Sequence, residues 1–134
     1  MNKILAIAAL GWAPVATQAE VRLTSHSYVH NPSGQTHVVL HLASYKRGWF
    51  FGSCGPSTHS LQWEYYLEVR GSGPSYSKAD IEIKDGDYQL LTLEEGVVTL
   101  DSKTNKATIS LTLKQESGSK PFRGNGTYKI RKQG

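Results

Sequence analysis

Cysteine and histidine are the residue types of this chain most able to carry out chemistry, and both are concentrated in one part of it. Cys54 is the single cysteine, and all five histidines lie between His26 and His59. A cysteine thiolate beside a histidine base is the pair that a nucleophilic enzyme requires. Several histidines on one face are instead typical of a metal site. The sequence thus contains the side chains for two kinds of reactive site.

The nucleophile hypothesis rests on the segment Gly52-Ser53-Cys54-Gly55. It resembles the nucleophile motif of chymotrypsin-like cysteine proteases, in which backbone N–H groups form an oxyanion hole. The resemblance implies Cys54 as the nucleophile and His59 as the base. It covers four residues, and that family builds a whole β-barrel before its cysteine, whereas a short stretch precedes Cys54 here. We therefore predict no enzyme and keep a cysteine-dependent activity as a lesser alternative.

The metal hypothesis rests on a predicted hairpin with a turn at Asn31-Pro32-Ser33-Gly34. Six of its residues are predicted to share one outer face: His26, Tyr28, His30, His37, Val39 and His41. Histidines four residues apart on a strand are separated by roughly 13 Å, so only diagonal cross-strand pairs reach one metal ion. No carboxylate or thiol is predicted on this face. We predict no metal and no cofactor, with His26, His37 and His41 as weak metal candidates.

The segment between Tyr45 and Ser60 interrupts the strand pattern and carries three consecutive aromatic residues after two basic ones. A connection this long is uncommon in a compact domain and is often functional. Three successive aromatic side chains cannot all face one core from an extended chain, and exposed aromatics supply large contact areas. We predict that the segment contacts a protein or glycan partner. The predicted binding residues are Trp49, Phe50, Phe51, Tyr28, Lys46 and Arg47.

A membrane surface is an alternative partner for the same residues, with Lys46 and Arg47 on anionic head groups. An inhibitor or immunity factor acting on an exported enzyme is a further alternative. Three loops, at 31–34, 71–74 and 120–123, resemble in part the inhibitory loops of chagasin-like cysteine-protease inhibitors. That resemblance implies that all three loops enter the cleft of one enzyme.

The first nineteen residues have the pattern of a secretory signal peptide. Lys3 precedes an apolar run over 4–16, and Thr17 and Ala19 put small residues at the −3 and −1 positions of a cleavage site. The apolar run is shorter than the roughly 20 residues that cross a bilayer. We predict cleavage near Ala19, one domain over 20–134, and a secreted or periplasmic location.

Export and charge limit the partners. Loss of Lys3 leaves 14 of the 15 basic residues against 11 acidic ones, a net charge of +3, so we predict no nucleic-acid partner. An exported protein can form disulfides, but one cysteine forms none within the chain. Cys54 is therefore predicted to be buried, with a Cys54-linked dimer as an open alternative. Asn125-Gly126-Thr127 matches the acceptor motif for N-glycosylation.

Period-two hydrophobicity predicts about eight strands, near 21–30, 36–45, 60–70, 79–84, 87–93, 97–101, 106–114 and 126–131. Asp85-Gly86 predicts a two-residue turn that pairs Lys84 with Asp87. A four-residue loop, 102–105, sets Leu100 opposite Ala107, and the first hairpin sets Ser27 opposite Val38. We predict an all-β antiparallel sandwich of the immunoglobulin-like type, with a small closed lipocalin-like barrel as the alternative. Both place Trp63 in the core.

Overall fold

Strands make up most of the chain in the computed structural model, which describes residues 18–30, 36–48 and 58–132. A short 3-10 helix, Lys78–Asp80, separates the fourth strand from the fifth. The nine strands are β1 Gln18–His30, β2 Thr36–Gly48, β3 Thr58–Gly71, β4 Ser75–Ser77, β5 Ile81–Asp85, β6 Leu93–Asp101, β7 Lys106–Gln115, β8 Gly118–Pro121 and β9 Gly126–Lys132.

The strands form a single sheet in the order β4-β6-β7-β9-β1-β2-β3-β5, and β8 pairs with β7 beside β9. All neighbouring pairs are antiparallel except β1 with β9, which is parallel. The two edge strands, β4 and β5, are consecutive in the chain, and the Leu91 N–H donates to the Ile83 carbonyl across the remaining gap. The sheet is therefore nearly closed and barrel-like. The all-β prediction is confirmed, while the parallel pair was not foreseen.

The core lies inside this curved sheet and is built from alternate residues of its strands. Leu40, Leu42 and Leu67 are fully buried, as are Ile83 and Ile109 to within 1%. One side of each strand faces inward because successive side chains of a strand point to opposite faces. Trp63 was predicted in the core. It is half-buried and packs against the core from its margin.

The hairpin between β6 and β7 has the predicted register. Leu100 pairs with Ala107, and Val98 pairs with Ile109. Asp101 Oδ1 accepts a hydrogen bond of 2.9 Å from the Lys103 N–H and so fixes the first half of the loop. Asn105 completes it with a φ of 56°, a left-handed conformation that asparagine tolerates well. The four-residue loop is confirmed.

The predicted two-residue turn at Asp85-Gly86 is wrong. Lys84 pairs with Leu90 rather than with Asp87. Asp85 Oδ1 accepts hydrogen bonds from the backbone N–H groups of Asp87 (2.9 Å) and Gln89 (3.0 Å), which wrap the chain into a wider loop. The register differs by three residues, and an odd shift reverses the faces. Leu90 is accordingly 64% exposed, and the next strand starts only at Leu93.

The first hairpin has the predicted register only up to a bulge. Leu23 pairs with Leu42 and Ser25 with Leu40, as predicted. An extra residue, His26, then shifts the register by one, as β-bulges do. Ser27 consequently pairs with Val39, so the predicted pairing of Ser27 with Val38 is wrong. Tyr28 takes the position opposite Val38.

One side of β7 is shared by two short strands. β9 pairs with Lys106–Ile109, and β8 pairs with Thr112–Gln115. Between them the Asn125 side chain substitutes for a strand, because its Oδ1 accepts the Leu111 N–H at 2.8 Å and its Nδ2 donates to the Leu111 carbonyl at 3.0 Å. The Asn125 amide thus continues the hydrogen-bond ladder across the break.

Candidate functional site

Strands β1, β2 and β3 extend beyond the strands that flank them. β9 pairs with β1 only at Leu23–Ser25, and β5 pairs with β3 only at Tyr65–Val69. Past those pairs, residues 18–22, 43–48 and 58–64 form a three-stranded segment, which we call the arm. The last pair of the arm joins Gly48 to Thr58. The segment 49–57, which lies outside the described residues, is therefore joined to the chain at the tip of the arm.

The predicted contact residues are distributed around this tip. Trp49, Phe50, Phe51 and Cys54 lie outside the described residues. Lys46 is exposed and pairs with Ala19 and Ser60. Arg47 follows it in β2 and pairs with Gln18 and His59. Both basic residues thus belong to the last three β2–β3 pairs before the aromatic segment.

The outer face of the arm carries a cation stacked on an aromatic ring. The Arg22 guanidinium lies 4.7 Å from the centroid of the Tyr45 ring. Arg22 also forms an ion pair of 2.7 Å with Glu20. The hydrogen bond from Arg22 holds the pKa of the Glu20 carboxyl below its ordinary value. Arg22 is therefore fixed in position by two partners on the same face.

The inner side of the arm is braced against the barrel by aromatic contacts. The Tyr65 and Phe122 rings meet edge to face at 4.8 Å between centroids, and Phe122 is buried. The Trp63 ring lies 5.6 Å from that of Tyr65 and has the Arg123 guanidinium 5.9 Å from its centroid. Edge-to-face pairs and cation–π contacts both stabilise such packing. These contacts fix the direction in which the arm leaves the barrel.

The histidine face differs from its prediction because it contains two carboxylates. His41 Nε2 lies 2.7 Å from Glu64 Oε1, and His37 Nε2 lies 3.0 Å from Glu68 Oε1. Both glutamates come from β3, the neighbour of β2. Arg70 forms a second ion pair with Glu68. The expectation of a face without carboxylates is therefore wrong, and His37 and His41 have structural partners on β3.

The charge around Glu68 favours its ionised form. Partial burial opposes ionisation of the carboxyl, but the hydrogen bond and charge of Arg70, with the charge of His37, outweigh it. The pKa of Glu68 consequently lies below its ordinary value. This group of side chains is an ion-pair network across β2 and β3, which accounts for His37 without a ligand.

A row of four rings crosses the same outer face. His26 lies 5.2 Å from His41, His41 stacks on Tyr66 at 4.7 Å, and Tyr66 stacks on Tyr88 at 4.6 Å between centroids. The hydrogen bond with Tyr88 and the burial of the ring raise the pKa of Tyr66 above its ordinary value. Tyr88 is 65% exposed and has a φ of 62°. The wide loop after β5 thus holds this tyrosine at the end of the row.

The row was not predicted, because it depends on the loop after β5. The alternation of Glu64, Tyr66, Glu68 and Arg70 on one side of β3 was visible in the sequence and was the signal for a polar outer face. Within residues 18–30, 36–48 and 58–132, no group of three His, Cys, Asp or Glu side chains is arranged to hold a metal ion. His59 lies in β3, and its predicted nucleophile, Cys54, is outside the described residues.

Of the three loops that resemble inhibitor loops, 31–34 lies outside the described residues, and the other two, 71–74 and 120–123, do not lie together. Thr36, which follows the first loop, pairs with Gly71, at the start of the second. Lys120, in the third loop, pairs with Leu113, which pairs with Leu93 at the opposite end of β6 from Asp101. Phe122 is 2% exposed. Loop 120–123 thus lies at the other end of the barrel, and the resemblance fails for this loop.

Comparisons with known proteins identify no relative of the chain. No protein-family model matches it. Curated proteins and solved structures likewise give no match. Among the residues that the structure describes, no helix is long and apolar enough to cross a membrane.

Proposed function

We propose that the chain is an exported, non-catalytic binding protein that contacts a protein or glycan partner with the tip of the arm. The observation that carries the proposal is the strand pairing of the arm. β2 and β3 remain paired up to Gly48 and Thr58, beyond the last pairs with β5 and β9. The segment with Trp49, Phe50 and Phe51 is therefore attached at the far end of a rigid support.

Preorganisation supports this proposal. A contact segment binds more tightly when less conformational freedom is lost on association. The edge-to-face packing of Tyr65 on Phe122, and the contact of Arg123 with Trp63, hold the base of the arm against the barrel. The fold thus fixes the two strands that carry the segment, up to Gly48 and from Thr58, before any partner arrives.

The distribution of residue types around the tip also supports it. Aromatic residues and arginine are enriched at the centres of protein interfaces, with polar residues at the rim. Trp49, Phe50 and Phe51 directly follow Lys46-Arg47-Gly48. Lys46 is exposed. We infer that the partner offers an apolar or sugar-ring surface bordered by acidic or hydroxyl groups.

The test is capture of partners by the tagged chain in the medium or periplasm of its source, followed by binding measurements with each purified partner. Trp49→Ala removes the largest aromatic contact. Val97→Ala is the matched control, because Val97 is 46% exposed on β6, away from the arm. We expect a partner whose affinity falls at least about tenfold in Trp49→Ala, the effect of a hot-spot residue, and is unchanged in Val97→Ala.

The same variants separate the partner classes. A glycan array and anionic vesicles are used alongside the captured proteins. Binding to proteins or glycans that depends on Trp49 supports the proposal. Trp49-dependent binding to vesicles alone replaces it with the membrane alternative. A captured partner bound equally by wild type, Trp49→Ala and Val97→Ala excludes the arm tip as the contact surface.

A further inference from the structure

A cavity of about 570 Å³ opens at the end of the barrel opposite the arm tip. Four apolar residues form its floor: Val38, Leu40, Leu100 and Ile130. Its polar rim includes Ser25, His26, Asp101 and Lys132. Small-molecule sites commonly measure about 300–1,000 Å³ and occur in the mouths of β-barrels. The cavity therefore has the size and the composition of a site for a small ligand.

The register of β1 explains why the described side chains leave space at this end of the barrel. The parallel pairing of β1 with β9 covers only three positions and ends where Ser25 meets Lys132. His26 then forms the bulge, and β1 departs from its earlier course. Ser25 pairs with the fully buried Leu40, so a small polar residue occupies a position of the inner row. A larger apolar side chain there would fill part of the space.

Lys132 gives the site its chemical character. It lies two residues after Ile130 on β9, so both residues belong to the same face of the strand, and both line the cavity. Among the described residues Lys132 forms no ion pair within 4.0 Å. The Asp101 carboxylate on the same rim accepts the Lys103 and Thr104 N–H groups of its own turn. An ammonium group thus stands beside an apolar floor. The hydrogen bonds from Thr104 and Lys103 lower the pKa of the Asp101 carboxyl, so Asp101 keeps its negative charge and Lys132 alone supplies the attraction for an anion at this rim.

We propose that this cavity binds a small amphipathic carboxylate, a function separate from that of the arm. The apolar body of the ligand packs on Leu100 and Ile130, the partly exposed apolar residues of the lining, which removes its surface from water. Its carboxylate accepts a charge-assisted hydrogen bond from Lys132 and one from the Ser25 hydroxyl. Hydrogen bonds of this kind are among the stronger ones in proteins.

Calorimetric titration of the chain from Glu20 with decanoate, and with decanol as its uncharged counterpart, tests the proposal. Lys132→Met removes the ammonium group and retains an unbranched side chain. Lys129→Met is the matched control, because Lys129 is exposed on the same strand, lies on the opposite face from its neighbour Ile130 and is not part of the cavity lining. Ser25→Phe fills the mouth, and circular dichroism reports whether each variant keeps the strand content of the wild type.

We expect saturable binding of one decanoate per chain. Lys132→Met should weaken it at least about tenfold, the effect of losing a hydrogen bond to a charged group, and leave decanol binding unchanged. Ser25→Phe should weaken both ligands, and Lys129→Met neither. The absence of saturable decanoate binding overturns the proposal. Equal affinities of Lys132→Met and Lys129→Met for decanoate overturn the assignment of Lys132.

Discussion

The amide of Asn125 offers the clearest test of how the sheet is held together around its break. Its two hydrogen bonds to Leu111 fill the gap along β7 between the residues paired with β8 and those paired with β9. Leu111 is 1% exposed, so its N–H has no access to solvent water. The Leu111 carbonyl keeps a second donor, the Phe122 N–H at 3.0 Å. Removal of the amide thus leaves one buried donor without a partner and one acceptor with a partner.

The magnitude follows from these two different losses. A buried donor left unsatisfied costs about 1–3 kcal/mol, and an ordinary hydrogen bond contributes about 0.5–1.5 kcal/mol. Asn125→Ala should therefore lower the free energy of unfolding by about 2–4 kcal/mol. Asn125→Asp keeps an oxygen for the Leu111 N–H and loses the donor, so it should lie between Asn125→Ala and the wild type.

Urea unfolding monitored by circular dichroism measures these differences. Thr127→Ala is the control, because it abolishes the glycosylation motif and leaves the Asn125 amide in place. Thr127 is exposed and its hydroxyl pairs only with that of Thr108, so we expect a change within about 0.5 kcal/mol. If Asn125→Ala is as stable as the wild type, the Asn125 amide does not hold the sheet together at this break. A loss as large in Thr127→Ala as in Asn125→Ala would assign the effect to glycosylation.

Three further predictions concern ionisation and packing. The pKa of Glu68 is lowered in the folded state, so ionised Glu68 stabilises the fold above the ordinary carboxyl pKa, and this stabilisation is lost as the pH falls through the folded pKa. The difference in unfolding free energy between wild type and Glu68→Gln should therefore shrink from pH 7 toward pH 3. A difference that stays constant with pH contradicts this prediction. Gly96→Ala should lower the unfolding free energy by about 1–3 kcal/mol, because a Cβ at this position would overlap Leu111 Cδ2 and lie 3.0 Å from the Ser110 carbonyl oxygen. Unchanged stability would mean that β6 moves away from β7 without cost. Tyr88→Phe removes the hydrogen bond to Tyr66 and should lower the pKa of Tyr66 in a spectrophotometric alkaline titration, where an unchanged profile would refute that contact.

Turn chemistry explains which parts of the fold were predictable from the sequence. The 102–105 loop follows from its own residues, because Asp101 accepts the Lys103 and Thr104 N–H groups and Asn105 adopts a left-handed φ. Asp85-Gly86 also has a strong local signal, but the Asp85 side chain accepts hydrogen bonds from the N–H groups of Asp87 and Gln89 and so enlarges the turn. The bulge at His26 could not be predicted, because no glycine stands at this point of β1 to indicate a bulge. Register beyond such points depends on contacts between distant strands.

The same limit applies to the histidine face. Alternation identified His37 and His41 on β2 correctly. The same alternation put Tyr28 on this face, and that prediction is wrong, because the bulge at His26 places Tyr28 opposite Val38 of the inner row. The partners of His37 and His41 come from β3, more than twenty residues later in the chain. Pairing of β2 with β3 was not predicted, because the 49–57 segment carries no turn signal that fixes a register. The carboxylates that pair with His37 and His41 could therefore not be identified before β3 was placed beside β2.

The two proposed contact regions lie at opposite ends of the barrel, and this separation has a mechanical consequence. Both are supported by β2, which carries Val38 and Leu40 of the cavity floor near its start and Lys46 near its end. Between them the strand is paired on both sides through its whole length. A strand fixed in this way transmits little motion along its axis, since any shift would break two ladders at once. The ligand in the cavity and the partner on the arm should therefore bind independently. If Lys132→Met does not alter decanoate binding, only the cavity proposal is refuted. If Trp49→Ala does not alter partner binding, only the arm proposal is refuted.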